Sequence, residues 1–323
     1  MSGLWVALLL LLAWLATAGV GPVSASPASP LLPGPPGQTP AFRAGVDLVD
    51  LGVTVTDKRG QLVAGLEAKD FEVREDGRLQ TVQYFVAGRL AETAPQFHLG
   101  LLLDVSESMS DDIRFTRTAA IKFLNALTSA VDITIVDFDS EVRVARYGQA
   151  EFPRLVERIR QRKPAGMTAL YDAIGVYLDG AMALDGRKLM LLYTDGGDTR
   201  SSMRWSELLT LLKASDVTVY AIGELEHQSP SARAQARNVL QSVAETTGGA
   251  AFFPSTVKEL DGIYEKILAE IRAQYTIAYH STNAASDGAW RKVEVTAAQA
   301  PGRDLRVRTR KGYFAAYKPP VKP

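Results

Sequence analysis

Apolar residues change their spacing along the chain and mark out a central region. Between residues 96 and 273, short apolar runs alternate with stretches in which apolar residues recur every three or four positions. This is the pattern of strands alternating with helices. The first run, residues 97–103, is too continuously apolar for a strand with one wet face, so it indicates a parallel strand covered by helices on both faces. The pattern predicts a doubly wound α/β domain over residues 96–273.

On both sides of this domain apolar residues recur at every second position, as they do in strands with one buried face. Residues 71–85 predict a hairpin whose turn is Asp76-Gly77. Three further strands are predicted after the last helix. Neither flank is long enough to bury a core by itself, so residues 43–92 and 274–316 are predicted to pack together as one small β module.

The amino terminus has the composition of an export signal. The first 42 residues carry no charged side chain, and residues 4–18 form an apolar run. This run is shorter than the roughly 20 residues of a spanning helix, so residues 1–25 predict a signal peptide, either cleaved or kept as an anchor. No later segment predicts a membrane span. Residues 26–42 predict a proline-rich linker and residues 317–323 a frayed tail. We expect a secreted protein, or one in the periplasm or cell envelope.

The overall composition excludes several classes of function. Lys plus Arg and Asp plus Glu number 36 each, so no net charge attracts nucleic acid or an anionic membrane. The chain has no Cys, which excludes disulfides, thiolate metal ligands and cysteine nucleophiles. Arg306, Arg308 and Arg310 alternate on one strand and are interpreted as a solvated face, because no aromatic residues interleave them. We expect no nucleic-acid partner.

Five oxygen-bearing side chains are predicted to gather at the carboxyl edge of the central sheet, where α/β sheets bind their ligands. They are Asp104, Ser106, Ser108, Thr168 and Asp195. Two carboxylates and three hydroxyls suit Mg²⁺, Mn²⁺ or Ca²⁺, and the absence of His and Cys among them argues against zinc. Taken singly, Asp104-x-Ser106-x-Ser108 is also typical of a capped turn, Thr168 of a helix cap and Asp195-Gly196 of a plain turn. Their joint occurrence favours a metal site.

The motifs resemble the metal-ion-dependent adhesion site of von Willebrand factor type A domains. Asp104-x-Ser106-x-Ser108 is followed by Thr168 in Gly-Met-Thr-Ala-Leu-Tyr-Asp and by Asp195 in Thr-Asp-Gly, so every position of that site is filled. The resemblance implies a Rossmann-like domain in which the two Ser and the Thr contact the metal. It also implies that the two Asp act directly or through water and that a ligand carboxylate fills the open position.

The resemblance extends beyond the site. Residues 46–314 are similar to the secreted bacterial von Willebrand A-related proteins of the acidobacterial type, through motifs such as Glu75-Asp76-Gly77 before the domain. Met167 departs from the family, in which a Gly is commoner at this position, and the departure concerns the shape of the loop more than metal binding.

Other polar residues near the motifs are predicted to lie outside the metal ligands. Asp172 and Asp198 are interpreted as neighbours of the site or as solvated residues, and Asp137 and Asp139 as polar residues of an edge strand. The three histidines have no paired Ser or Cys signature and are interpreted as structural or surface residues. They are His98, His227 and His280.

These observations predict an exported, metal-dependent protein-binding module of the adhesion type and no enzyme. Its partner is a protein that presents an Asp or Glu to the metal. Two alternatives remain: a Mg²⁺-dependent hydrolase, and a structural domain that a metal stabilises. Against the hydrolase, the sequence has no glycine-rich phosphate loop after the first strand of the domain, no Gly-x-Ser-x-Gly motif and no candidate general base beside the site.

Overall fold

Strands and helices alternate in the middle of the chain, and strands alone flank them. The structure is a computed structural model that describes residues 48–87, 96–111, 113–127, 130–297 and 304–317. Its strands are β1 (Leu48–Thr56), β2 (Glu72–Glu75), β3 (Arg78–Gln80), β4 (Tyr84–Val86), β5 (Phe97–Asp104), β6 (Ala130–Phe138), β7 (Val142–Gly148), β8 (Lys188–Thr194), β9 (Thr218–Gly223), β10 (Ala250–Phe252), β11 (Tyr275–His280), β12 (Trp290–Thr296), β13 (Arg306–Arg308) and β14 (Gly312–Phe314). Its helices are α1 (Ile113–Ala126), α2 (Phe152–Gln161), α3 (Leu170–Ala181), α4 (Trp205–Ala214), α5 (Pro230–Thr246) and α6 (Val257–Ala273).

Six strands form the central sheet in the order β10-β9-β8-β5-β6-β7. Neighbouring strands are parallel except β6 and β7, which form an antiparallel hairpin at one edge. β5 lies inside the sheet, and Leu101 and Leu102 point into the hydrophobic clusters on its two faces. Residues of α1, α2 and α6 belong to the first cluster, and residues of α3, α4 and α5 to the second. The doubly wound α/β domain is confirmed.

The packing of α3 on β5 requires a glycine. A Cβ atom at Gly100 would lie 2.3 Å from the ring of Tyr177. The Tyr177 hydroxyl donates a hydrogen bond to the carbonyl oxygen of Leu189 on the neighbouring strand β8. The ring therefore packs closely on the middle of β5, and this close approach of α3 to the sheet needs a residue without a side chain at position 100.

Strands from both flanks of the domain pair with one another. One sheet has the order β13-β1-β11-β4 and the other β14-β12-β2-β3. The two sheets enclose a core that includes Leu51, Val73 and Tyr275, which are fully buried. Glu75 joins the sheets, because its buried carboxylate accepts hydrogen bonds from the hydroxyls of Tyr279 and Tyr313. The predicted fold class, an α/β domain with a small β module built from the flanking segments, is confirmed.

Two predictions about the flanks are wrong in detail. The hairpin over residues 71–85 ends early: β3 pairs with β2, but β4 leaves the hairpin and pairs with β11 in the other sheet. The cause is the apolar core, in which the ring of Phe85 packs 5.7 Å from that of Phe71. The carboxyl-terminal flank also contributes four strands rather than three.

The predicted solvated face of arginines is wrong for two of its three members, whereas Arg306 is exposed. Arg308 donates to the carbonyl oxygen of Gly248 and pairs with the buried carboxylate of Glu270. Arg310 donates to the carbonyl oxygen of Asp50. These contacts attach the carboxyl-terminal flank to the α/β domain and to β1, so Arg308 and Arg310 serve the fold.

Several predicted features lie outside the described residues. They are the signal peptide (residues 1–25), the linker (26–42), the limits of the amino-terminal module at 43–47 and 88–92, and residues 318–323 of the tail. The domain boundaries stay predictions. Among the described residues, no helix has both the length and the apolar character needed to cross a membrane.

Candidate metal centre

The candidate site lies where two neighbouring parallel strands end. β5 ends at Asp104 and β8 at Thr194, and their register places Leu103 opposite Tyr193 one residue earlier. Carboxyl ends of parallel strands meet at one edge of a sheet, which is where α/β folds bind ligands. Ser106 and Ser108 follow β5 directly, and Asp195 follows β8. The sequence therefore brings these groups to one edge through the strand order alone.

Asp104 is fully buried and accepts three hydrogen bonds. Its Oδ1 accepts from the backbone nitrogen of Ser106 at 3.0 Å and from the Ser106 hydroxyl at 2.6 Å. Its Oδ2 accepts from the Thr194 hydroxyl at 2.6 Å. Both carboxylate oxygens thus have hydroxyl partners, which fix the orientation of the side chain.

Burial raises the pKa of Asp104 to about 7. Hydrogen bonds from Ser106 and Thr194 to the carboxylate oppose this rise in pKa, and the negative charge of Asp195 adds to it. The effect of Asp195 shows that the two acidic groups are close enough to interact. A nearby cation would favour the charged form of both carboxylates.

Ser106 and Ser108 have the separation expected of two adjacent ligands. Their Oγ atoms lie 3.0 Å apart. In an octahedral Mg²⁺ site with bonds of 2.0–2.1 Å, adjacent ligand oxygens are also about 3.0 Å apart. A single 3₁₀ turn, Glu107–Met109, brings the Ser108 hydroxyl back to that of Ser106. Ser106 is buried and Ser108 exposed, so the oxygens extend from the interior to the surface.

Backbone contacts attach the loop of Thr168 to the loop after β5. The backbone nitrogens of Ala165 and Glu107 donate to the carbonyl oxygens of Val105 and Gly166, respectively, both at 3.0 Å. Gly166 has a φ of 74°, and a Cβ atom there would lie 2.6 Å from the Ser140 hydroxyl, so this close turn favours glycine. The predicted ligand Thr168, two residues before α3, therefore lies in a loop that is attached to the loop of Ser106 and Ser108.

The Thr168 backbone is held on its other side by the loop after β8. Its nitrogen donates to the Thr199 hydroxyl at 3.0 Å, and its carbonyl oxygen accepts from the nitrogens of Thr199 and Arg200. Among the described residues, no side chain hydrogen-bonds to the Thr168 hydroxyl. The structure thus places the backbone of Thr168, and the hydroxyl has no competing protein partner there.

Asp195 is buried and is positioned by its own loop. Its Oδ1 accepts from the nitrogen of Gly197 at 2.9 Å. Its carbonyl oxygen accepts from the side-chain nitrogen of Gln228 at 2.7 Å, which links the loop to the residues after β9. One carboxylate oxygen of Asp195 has no described hydrogen bond.

Three further residues support the site. Thr194 orients Asp104 and is not predicted from the sequence, whereas Asp172 and Asp198 are interpreted from the sequence as neighbours of the site or as solvated residues. Asp172 accepts from the backbone nitrogens of residues 202 and 203, and Asp198 accepts from the nitrogen of Tyr171 and from the Ser201 hydroxyl. These two carboxylates are not free in solvent: they fasten the loop after β8 to the first turn of α3.

The donor set suits a hard divalent cation. Among the described residues no three His, Cys, Asp or Glu side chains are grouped to hold a metal ion. The candidate ligands are instead two carboxylates and three neutral hydroxyls, a combination that fits Mg²⁺, Mn²⁺ or Ca²⁺. The 3.0 Å spacing of Ser106 Oγ and Ser108 Oγ is compatible with this assignment.

Comparison with known proteins gives the family. A family model described as the von Willebrand factor type A domain matches residues 98–266, just over half of the chain. A search of the curated proteins gave no match.

Solved structures with a similar fold include a von Willebrand factor type A protein from Catenulispora acidiphila. It has 15% identity and a TM-score of 0.44, and the alignment covers 86% of this chain and 76% of that one. The von Willebrand domain of the type V pili tip protein Mfa5 from Porphyromonas gingivalis has 12% identity and a TM-score of 0.43. The alignment covers 55% of this chain and 97% of that one. An aerotolerance-related membrane protein from Bacteroides fragilis has 14% identity and a TM-score of 0.44. The alignment covers 54% of this chain and 98% of that one.

The family match covers the strands and loops that form the candidate site, from β5 through β8. The chain therefore belongs to the von Willebrand factor type A domain family.

Proposed function

We propose that this protein is an exported binding module that captures an acidic residue of a protein partner through a divalent cation. The observation that carries the proposal is the hydrogen-bonded group of Asp104, Ser106 and Ser108 at the carboxyl edge of the sheet. Three oxygens within 3.0 Å of their neighbours, one on a buried carboxylate, form the kind of cluster that a cation organises.

Five side chains would hold the ion. They are Asp104, Ser106, Ser108, Thr168 and Asp195. The bound ion supplies positive charge and an exchangeable coordination position. If the neutral hydroxyls contact the ion directly and the two Asp act partly through water, the ion keeps residual positive charge, and a carboxylate from outside gains a charge-assisted contact that a neutral amide does not. The site would therefore select an Asp or Glu of the partner.

The surroundings of the site are open to a large partner. Ser108, Thr199 and Arg200 are exposed, and Met167 next to Thr168 is 56% exposed. Met167 places an apolar side chain beside the metal ligands, where it can contact the residue next to the partner's acidic one. A protein surface, rather than a small molecule in a closed pocket, fits this geometry.

The hydrolase alternative needs a general base near the ion. His98 does not supply it, because it lies at the amino-terminal end of β5, whereas Asp104 lies at the carboxyl end. His98 contacts Asp132 and the carbonyl oxygen of Asp185 there. This placement removes His98 as the general base of a hydrolase.

A chelator-controlled capture experiment tests the proposal. The protein is immobilised with Mg²⁺ and exposed to a cell-surface extract. Bound proteins are eluted with EDTA, and acidic residues of an eluted partner are changed singly to the amide. We expect one such change to abolish capture. Asp179→Asn, which alters an exposed carboxylate on α3, is the matched control and should capture normally.

The outcomes separate the three functions. Capture that persists in EDTA contradicts the metal-bridged mechanism. Stabilisation by Mg²⁺ without any capture indicates a structural metal, and turnover of a bound substrate indicates the hydrolase. Export is proposed from residues 1–25, and amino-terminal sequencing of the native protein tests it.

A further inference from the structure

A basic cavity lies at the carboxyl-terminal end of α2. Its volume is about 360 Å³, and Arg158, Gln161 and Arg162 line it. The nearby Asp137 is not the edge-strand residue that its sequence context predicts. Asp137 is on β6, inside the sheet, and is fully buried beneath these arginines.

Asp137 neutralises only part of the charge above it. Arg158 donates to its Oδ1 from Nε at 2.9 Å, and the Nε of Arg162 lies 2.8 Å from its Oδ2. A third guanidinium, that of Arg143, is 3.7 Å away and makes its close contacts with Asp139 instead. Two guanidinium groups therefore share one carboxylate, which leaves one positive charge in excess at the cavity.

Arg162 has hydrogen-bond donors to spare. Its contact with Asp137 is through Nε, and in the described part of the chain no residue accepts from its two terminal nitrogens. The side chain is 35% exposed, so these nitrogens are reachable from solvent. A pair of terminal guanidinium nitrogens matches the two oxygens of a carboxylate. The cavity thus offers the two terminal guanidinium nitrogens of Arg162 as a bidentate donor to an incoming anion.

The wider charge distribution favours a carboxylate over a nucleic-acid backbone. Arg160 and Lys163 add positive charge on the same segment, whereas Glu157, which accepts from Gln161 at 2.9 Å, reduces it. Lys plus Arg equals Asp plus Glu over the whole chain, so no net positive charge attracts a phosphate backbone. The local excess is about two charges on one short segment, which suits single carboxylates.

We propose that the cavity at Arg158 and Arg162 is a second anion site, independent of the metal, that binds carboxylates of an acidic segment of a protein partner. Thr168 follows Arg162 by six positions, which span at most about 22 Å, so one partner can contact both sites. That combined use rests on the proposed function. Anion binding at the cavity does not, and it is therefore tested without metal.

The probe is fluorescein-labelled hexaglutamate, whose binding to the full chain is followed by fluorescence anisotropy at low ionic strength in EDTA. We expect saturable binding that Arg162→Gln weakens about tenfold, the usual effect of losing one charged hydrogen bond. Arg160→Gln removes the same charge from an exposed neighbour outside the cavity and should change the affinity less than about twofold. Thermal unfolding checks that both variants are folded.

Three results would overturn the proposal: equal weakening by Arg160→Gln and Arg162→Gln, binding that requires Mg²⁺, or binding of a DNA duplex but not of hexaglutamate. Should Arg162→Gln fail to fold, Arg162→Lys keeps a charge opposite Asp137 but lacks the planar fork. It must still weaken binding, and an unchanged affinity would refute the assignment. A chelator-sensitive partner found elsewhere on the molecule would leave this test unaffected.

Discussion

The buried carboxylate of Asp104 makes the stability of the metal-free protein depend on pH. Its pKa is raised from 3.8 to about 7, chiefly by burial. Between these values the folded protein binds a proton that the unfolded chain has released, so the free energy of unfolding falls as pH rises. At 1.36 kcal/mol per pH unit, the cost of the buried charge reaches about 4 kcal/mol above pH 7, of which about 3 kcal/mol arises between pH 5 and pH 8.

Asp104→Asn keeps the shape and removes the charge, although its amide nitrogen donates where a carboxylate oxygen accepted. That change does not depend on pH, so the difference between two pH values isolates the cost of the charge. Urea unfolding is measured in EDTA at pH 5 and pH 8 for wild type and variant. From pH 5 to pH 8 the free energy of unfolding of wild type should fall by about 3 kcal/mol relative to that of the variant. Asp179→Asn, on the exposed side of α3, should follow wild type at both.

Adding Mg²⁺ should remove most of the difference between the two proteins at pH 8. An ion at 100 times its Kd stabilises the folded protein by about 2.7 kcal/mol. Wild type should gain this stability, and Asp104→Asn should gain none because the ion needs the carboxylate. If the two proteins show the same pH dependence in EDTA, burial does not control this group and the reasoning is refuted.

Four further predictions follow from the contacts described above. Thr168→Ala should leave the fold intact and weaken Mg²⁺ binding about tenfold by calorimetry, whereas Thr168→Ser should bind nearly as wild type; equal affinities for all three would remove Thr168 from the ligands. Asp198→Ala should lower the free energy of unfolding by about 1–3 kcal/mol and also weaken the metal, because the loop after β8 loses its attachment to α3; destabilisation without any change in metal affinity would count against this link. Tyr279→Phe should cost about 1–3 kcal/mol in urea unfolding with unchanged metal affinity, since the Glu75 carboxylate loses one donor far from the site; a neutral effect would show that the donor is dispensable. The mature protein should begin between residues 19 and 27 and occur outside the cytoplasm, and an intact Met1 in a cytoplasmic pool would contradict export.

The position of the site could be predicted from the sequence because its motifs are local. A continuous apolar run places β5 inside a parallel sheet, so the residue that ends it must lie at the carboxyl edge. Asp104, Ser106 and Ser108 are two residues apart, which lets one short turn bring their oxygens together. Thr168 and Asp195 follow the same rule from other segments.

Contacts that depend on long-range register could not be predicted. The Thr194 hydroxyl reaches Asp104 only because β8 is the parallel neighbour of β5, which no local pattern shows. Asp137 was misread because alternation along β6 does not show that arginines from α2 lie above it. β4 leaves its hairpin because the aromatic core of the module, with Phe85 in it, outweighs the local turn signal.

The metal itself is tested most directly by anomalous diffraction from crystals grown with Mn²⁺. The account predicts one manganese peak, in contact with the Oγ atoms of Ser106 and Ser108 and close to Asp104, Thr168 and Asp195. The same crystals of Asp104→Asn should show no peak there. A wild-type map without manganese at this edge of the sheet, or with manganese bound only elsewhere, would contradict the central claim that these five residues hold a divalent cation.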